Sequence, residues 1–71
     1  MNYIEWAEEY ERSAEQISAI IERKKERLKA QHLTAEQRQM LSADIRIYRH
    51  IWHELWDISA KLRQRAIAEV R

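Results

Sequence analysis

The 71 residues of this chain include neither glycine nor proline, and this absence restricts the folds open to it. Two-residue turns between β-strands usually need a positive φ, which glycine adopts without steric cost. Nothing in the sequence interrupts a helix as proline would. Alanine, leucine, isoleucine, glutamate, glutamine, lysine and arginine dominate the sequence, as is typical of long helices. The composition therefore predicts an all-α protein.

Two capping signals divide the chain into two helices. Asn2 is a good N-cap residue and Glu5 follows three positions later, as in a capping box. Thr34 and Gln37 repeat this pattern in the middle of the chain. We therefore predict one helical-hairpin domain over residues 1–71, with helix 1 at about 3–31, a turn at about 32–35 and helix 2 at about 35–68. A single continuous helix is the alternative.

Apolar residues recur at helical spacing along one side of each predicted helix. The two stripes face each other in antiparallel order when paired residue numbers sum to 69, so that Leu28 meets Leu41. The acidic start of helix 1 then lies beside Lys61, Arg63 and Arg65. Lys24 opposes Ile45, past which its stem is expected to snorkel to water. This predicts an antiparallel, coiled-coil-like two-helix hairpin. The stripes are Tyr3, Trp6, Ala7, Tyr10, Ala14, Ile17, Ile21 and Leu28 in helix 1, and Leu41, Ile45, Tyr48, Trp52, Leu55, Ser59, Leu62 and Ala66 in helix 2.

Helix 2 carries more apolar surface than helix 1 can cover. A second band lies about 80–120° around the helix from the first, and an exposed band of this size marks an association surface. A chain of this length is also short for a lone hydrophobic core. We predict a homodimer of two hairpins that forms a four-helix bundle, and the alternative is docking on a different protein. The predicted dimer interface comprises Met40, Ile47, Ile51, Leu55, Ile58 and Leu62.

Charged residues interrupt this band at Asp44, Glu54 and Arg65. Such residues set the register of helical assemblies or limit their aggregation. Trp56 lies at the margin of the apolar arc, so that it is either an interface anchor or a partly exposed indole.

The charge of the chain is balanced, with 13 basic and 12 acidic residues and a formal net charge of +1. This balance argues against a protein built mainly to neutralise phosphates. One basic cluster closes helix 1, and interleaved glutamates dilute it, so we interpret it as a charged helix end. The alternative function is a small nucleic-acid-associated regulator that uses this end of the hairpin. The candidate contacts are Arg23, Lys25, Arg27, Lys29, Arg46 and Arg49.

Candidate chemistry is sparse. His50, His53, Glu54 and Asp57 form two pairs at i,i+4 spacing, as metal ligands on a helix would, but they project to the solvated side. We interpret them as a polar face and predict no metal or other cofactor. The sequence also has no cysteine, no glycine-rich phosphate loop, and no serine placed with a histidine and an acid. A non-enzymatic protein is therefore expected.

No apolar run approaches the roughly 20 residues that a bilayer span needs. The first residues lack a basic region followed by an apolar stretch, so no signal peptide is expected and a cytoplasmic location is predicted. The opening Met-Asn-Tyr-Ile-Glu-Trp-Ala-Glu-Glu-Tyr, followed by a charged helix, a turn and an aromatic-rich helix, resembles small uncharacterised helical proteins of Gram-positive mobile elements and prophages. The resemblance implies a bacterial setting and no particular functional residue. The predicted function is a self-associating structural module that presents a surface to protein partners.

Overall fold

The computed structural model describes residues 2–70, which form two helices, α1 (Tyr3–Leu28) and α2 (Ala35–Val70). Glu11 contacts Arg63 and Lys24 contacts Asp44, so the two helices run antiparallel. The hairpin is 56 Å long and 14 Å across, and no strand occurs between residues 2 and 70. The predicted all-α helical hairpin is confirmed for this part of the chain.

Both helices begin at the caps that the sequence predicts. The Asn2 side chain accepts a hydrogen bond from the Glu5 N–H at 2.8 Å. At the start of α2, the Gln37 N–H donates to the Thr34 hydroxyl at 3.1 Å, and the Thr34 N–H donates back to the Gln37 side chain at 2.9 Å. This reciprocal pair satisfies two backbone N–H groups that have no partner within the helix.

The turn differs from the prediction, because α1 ends at Leu28 and not near residue 31. The Lys29 and Ala30 N–H groups bond to carbonyls three residues back, at 3.1 Å each, which tightens the last turn. The Arg38 guanidinium then donates to the carbonyls of Leu28 and Ala30 at 3.2 and 3.3 Å. Residues 29–34 therefore form the connection, and no residue from 2 to 70 needs a positive φ. At the other end, α2 runs to Val70, two residues past the predicted end.

The core lies between the two helices at positions spaced alternately by three and four residues. All sixteen positions are buried or half-buried. Ala7 and Ala14 are fully buried and allow close approach of α2, where Ser59 is also buried. Trp6, which the periodicity placed on this stripe, lies beside it with 46% of its surface exposed. The positions are 3, 7, 10, 14, 17, 21, 24 and 28 in α1, and 41, 45, 48, 52, 55, 59, 62 and 66 in α2.

Lys24 is the one charged residue at a core position of the described chain. Its ammonium leaves the core as predicted, but it reaches the carboxylate of Asp44 at 3.0 Å and not open water. The same Nζ lies 5.7 Å from the centroid of the Tyr48 ring, within range of a cation–π contact. Lys24 therefore joins the two helices at the edge of the core.

Candidate interaction surface

One side of the hairpin carries an apolar surface to which both helices contribute. Its residues lie next to the core on the side marked by the bridge between Lys24 and Asp44. In each helix they recur every seven residues, and adjoining residues of α2 widen the surface. We call this surface the isoleucine face. It comprises Trp6, Ser13, Ile20 and Arg27 of α1, Asp44, Ile51, Ile58 and Arg65 of α2, and the adjoining Met40 and Ile47 of α2.

The structure places the predicted dimer-interface residues together along this side of α2. Met40 is 63% exposed, Ile47 is 58% exposed and Ile58 is 38% exposed. Ile51 is half-buried. Two further residues of the predicted interface, Leu55 and Leu62, are half-buried core residues at the edge of the same surface. The face is therefore continuous with the hairpin core.

Sequence reasoning missed the contribution of α1 to this surface. Trp6 and Ile20 flank the core on the same side as the exposed isoleucines of α2. The available signal was the seven-residue spacing from Trp6 through Ser13 to Ile20, which runs parallel to the core stripe. Assigning Trp6 to the core concealed this second stripe.

Two of the three charged residues that interrupt the band have partners within the hairpin. Asp44 is bound to Lys24. The carboxylate of Glu54 lies 3.1 Å from Nε2 of His50, one turn back on the outward side of α2. Arg65 is exposed. The carboxylate of Glu54 is therefore directed away from the middle of the isoleucine face.

The opposite side of the hairpin is held by a polar cluster around Glu11. Arg63 donates from Nε and from Nη2 to the two carboxylate oxygens at 2.7 and 2.8 Å, and the Ser59 hydroxyl donates to the same carboxylate. The bonds from Arg63, and then that from Ser59, lower the pKa of Glu11 to about 2 from its ordinary value of 4.5. The sequence placed Arg63 near acidic residues but did not single out Glu11.

The candidate nucleic-acid contacts do not form one patch. Lys25 and Lys29 pair with Glu22 and Glu26 at 3.4 and 3.0 Å. Lys25 and Arg49 line a groove on one side of the hairpin, whereas Arg27 lines a groove beside Asp44 on the isoleucine face. The other two, Arg23 and Arg46, are exposed. The positive charge at this end of the hairpin is therefore divided between sides and partly neutralised.

On the predicted polar face of α2, Nε2 of His50 lies 3.1 Å from the carboxylate of Glu54. His53 instead lies against the indole of Trp52, with ring centroids 5.0 Å apart. Among residues 2–70, no three histidine or acidic side chains lie close enough together to hold a metal ion. Trp56 is a partly exposed indole, 37% exposed, whose ring meets Trp52 edge-on at 6.2 Å.

Neither helix between residues 2 and 70 is long and apolar enough to cross a membrane. No family model matches the chain, and the comparisons with curated proteins and with solved structures found no match.

Proposed function

We propose that this chain is a non-enzymatic interaction module that self-associates through its isoleucine face and presents its outer surface to protein partners. Two hairpins packed face to face make a four-helix bundle. The observation that carries the proposal is the exposure of Met40, Ile47 and Ile58 on one side of α2, next to the hairpin core. We place the module in the bacterial cytoplasm, the setting that the resemblance of its opening residues implies.

The surface area of the hairpin supports a partner of similar size. The hairpin exposes 5794 Å², whereas a compact monomer of 8.7 kDa exposes roughly 4,700 Å². The excess is on the order of 1,000 Å². One partner contributes about 800 Å² to a protein interface of standard size. The excess is therefore enough for one such interface.

A second copy of the chain is the partner that this surface fits. The isoleucine face is formed by two antiparallel helices, and such a surface matches another of the same kind when a two-fold axis relates them. Burying it converts the hairpin core from two layers of side chains into the centre of a four-helix bundle. Leu55 and Leu62, half-buried in the hairpin, would then be covered both by α1 of their own hairpin and by the partner hairpin.

Sedimentation equilibrium at micromolar concentration tests the proposal. We expect the wild-type chain to be a dimer and Ile47→Glu to be a monomer that keeps most of its helical circular dichroism. Ile67→Glu is a matched control, because Ile67 is also 58% exposed but lines a groove with Ile4 and Val70 away from the isoleucine face. A monomeric wild-type chain would contradict the proposal. So would an equal decrease of the measured molecular mass, from dimer to monomer, in both variants.

The alternative function as a nucleic-acid-associated regulator is favoured by one observation. Among residues 2–70, no carboxylate pairs with Arg23, Arg46 or Arg49. Titration of a short DNA duplex at low and at moderate salt decides between the functions. Phosphate contacts are strongest at low salt, so absence of binding there excludes this alternative, and salt-sensitive binding that Arg46→Glu and Arg49→Glu weaken would favour it.

A further inference from the structure

We propose that the two hairpins pack with α2 antiparallel to α2 of the partner, in a register that sets Asp44 against the partner's Arg65 and Ile51 against the partner's Ile58. This inference rests on the proposed self-association and specifies its orientation, its register and its charge pair.

The sequence of the isoleucine face on α2 has the symmetry that this register needs. Asp44, Ile51, Ile58 and Arg65 are spaced by seven residues and read acid, isoleucine, isoleucine, base. A two-fold axis midway between Ile51 and Ile58 reverses this order in the partner. Opposite charges then meet at both ends of an apolar centre. In a parallel arrangement each residue would face its own copy, so that like charges would meet at both ends.

The same axis accounts for other residues of the face. It sets Ile47, which is 58% exposed, against the partner's Leu62, a half-buried residue at the edge of the core. Glu54 would fall next to the axis, where an unpaired carboxylate is costly. In the hairpin this carboxylate lies 3.1 Å from Nε2 of His50, on the outward side of α2. The centre of the interface is therefore free for apolar contacts.

The stripe of α1 fits the same axis independently. Trp6, Ser13, Ile20 and Arg27 are also spaced by seven residues. Reversal about an axis midway between Ser13 and Ile20 sets Trp6 against the partner's Arg27 and Ser13 against the partner's Ile20. An indole and a guanidinium stack favourably, and Trp6 is 46% exposed in the hairpin. The ends of the α1 stripe thus carry a cation–π pair, whereas the ends of the α2 stripe carry the ion pair between Asp44 and the partner's Arg65.

One axis can serve both helices only if the two midpoints lie at the same height in the hairpin. The contacts from Glu11 to Ser59 and from Lys24 to Asp44 fix the relative height of α1 and α2. Interpolation between these two contacts places the midpoints of the two stripes at heights along the hairpin that differ by about two residues, or roughly 3 Å of helix rise. Adjustment of this size lies within ordinary helix packing.

Disulfide trapping tests the register, because the natural sequence contains no cysteine. Single variants Ile51→Cys and Ile58→Cys are oxidised separately and as a mixture. Residues 51 and 58 are about 10.5 Å apart along the helix, beyond the reach of a disulfide, so neither residue can meet its own copy in the proposed register. We expect at least about ten-fold more covalent dimer from the mixture than from either variant alone. His50→Cys mixed with Asp57→Cys, seven residues apart on the outward side, should not cross-link.

The possible failures are distinguishable. A chain that sediments as a monomer contradicts the proposed function and the register together. A chain that sediments as a dimer, but in which Ile51→Cys cross-links to itself, is parallel and contradicts the register alone. A dimer in which neither the mixture nor the single variants cross-link packs in another register and also contradicts it.

The charge pair has its own test. Arg65→Glu sets two carboxylates against each other at both ends of the interface, so we expect the dimer dissociation constant to rise about ten-fold at low salt. The effect should shrink in concentrated salt, which screens exposed charges. Arg46→Glu makes the same charge change at an exposed position outside the face and should leave the dissociation constant unchanged. An equal effect of both variants would show that Arg65 acts only through net charge.

Discussion

At the scale of single residues, the contact between Glu11, Ser59 and Arg63 is the principal polar link between the helices. Along α1 it lies between the fully buried Ala7 and Ala14, whose small side chains contribute little apolar area. The guanidinium of Arg63 binds both carboxylate oxygens, which fixes the geometry as well as the charge. Glu11 is only 19% exposed, whereas Arg63 is 43% exposed, so solvent screens part of the interaction.

We expect Glu11→Gln to destabilise the hairpin by about 1 kcal/mol at neutral pH, because it removes the negative charge that strengthens three hydrogen bonds at a half-buried site. The pKa of Glu11 is about 2 in the hairpin and 4.5 in the unfolded chain. Its stabilising contribution is therefore complete above pH 4.5 and is lost as the pH falls through about 2. Urea unfolding of both proteins over this range should show the two stabilities converging in acid.

Glu15→Gln is the matched control for this prediction, since Glu15 lies one turn further along α1 and is exposed. It should alter neither the stability at neutral pH nor its acid dependence. A constant difference between wild type and Glu11→Gln from pH 7 to pH 2 would show that the ionisation of Glu11 does not contribute.

Replacing Lys24 should stabilise the hairpin, in contrast to replacing Glu11, because Lys24 places a charge at a core position. Met has nearly the same shape without the ammonium. Lys24→Met gives up a partly exposed ion pair, while Asp44, with 47% of its side chain exposed in the hairpin, can still pair with the partner's Arg65 in the proposed dimer. We expect the free energy of unfolding to rise by about 1 kcal/mol in thermal or urea denaturation. A loss of stability would instead show that the bridge to Asp44 contributes more than apolar contact does.

At the scale of the elements, the turn depends on a residue outside it. Arg38, in the first turns of α2, donates to the carbonyls of Leu28, the last residue of α1, and of Ala30, two residues further on. Those carbonyls have no partner within the helix, so the guanidinium replaces the cap that glycine usually provides. A chain without glycine thereby ends one helix and starts the next within six residues, 29–34.

Arg38→Ala should therefore loosen the end of α1. We expect a loss of about 0.5–1 kcal/mol in the free energy of unfolding, together with faster amide exchange at Lys29 and Ala30, whose N–H groups close the last turn. Arg46→Ala removes an exposed arginine that makes no such contact among residues 2–70 and should change neither quantity. Unchanged exchange at Lys29 and Ala30 in Arg38→Ala would contradict the capping role.

The helix starts could be predicted from sequence and the end of α1 could not, for a physical reason. Asn2 and Thr34 form hydrogen bonds with residues three positions away, so each cap can be recognised from a short stretch of sequence. Arg38 reaches back ten residues to Leu28, a contact that exists only after the chain has turned. The core stripe was predictable from its spacing, but the place of Trp6 beside it depends on which side of α1 meets α2.

The candidate surface shows the same division. Met40, Ile47 and Ile58 were identified from their angle to the core stripe, which follows from helix geometry alone. The seven-residue spacing that ends at Ile20 was also present in the sequence, and the Lys24–Asp44 bridge shows that it lies on the same side as the exposed isoleucines of α2. The contact of Glu54 with His50, on the outward side of α2, depends on side-chain conformations that cannot be predicted from the spacing of residues.

At the scale of the whole molecule, the hairpin is a thin rod whose core is one layer of side chains on each helix. Three of its six most buried residues are alanine or serine, which contribute little apolar area. Such a hairpin is expected to be marginally stable alone, and burial of the isoleucine face would add its free energy to that of folding. Folding and association should therefore be coupled.

The coupling predicts that the melting temperature depends on protein concentration. For a dimer that unfolds to separate chains, with an enthalpy typical of its size, the melting temperature should rise by roughly 5 °C for each ten-fold increase in concentration. Ile58→Gln should lower the melting temperature and abolish this dependence, because it weakens the interface at its centre. Ile4→Gln changes a residue of nearly the same exposure, 37% against 38%, away from the isoleucine face, and should leave the dependence intact. Circular dichroism at several concentrations measures both effects, and a wild-type melting temperature that is independent of concentration would mean that the hairpin folds without its partner.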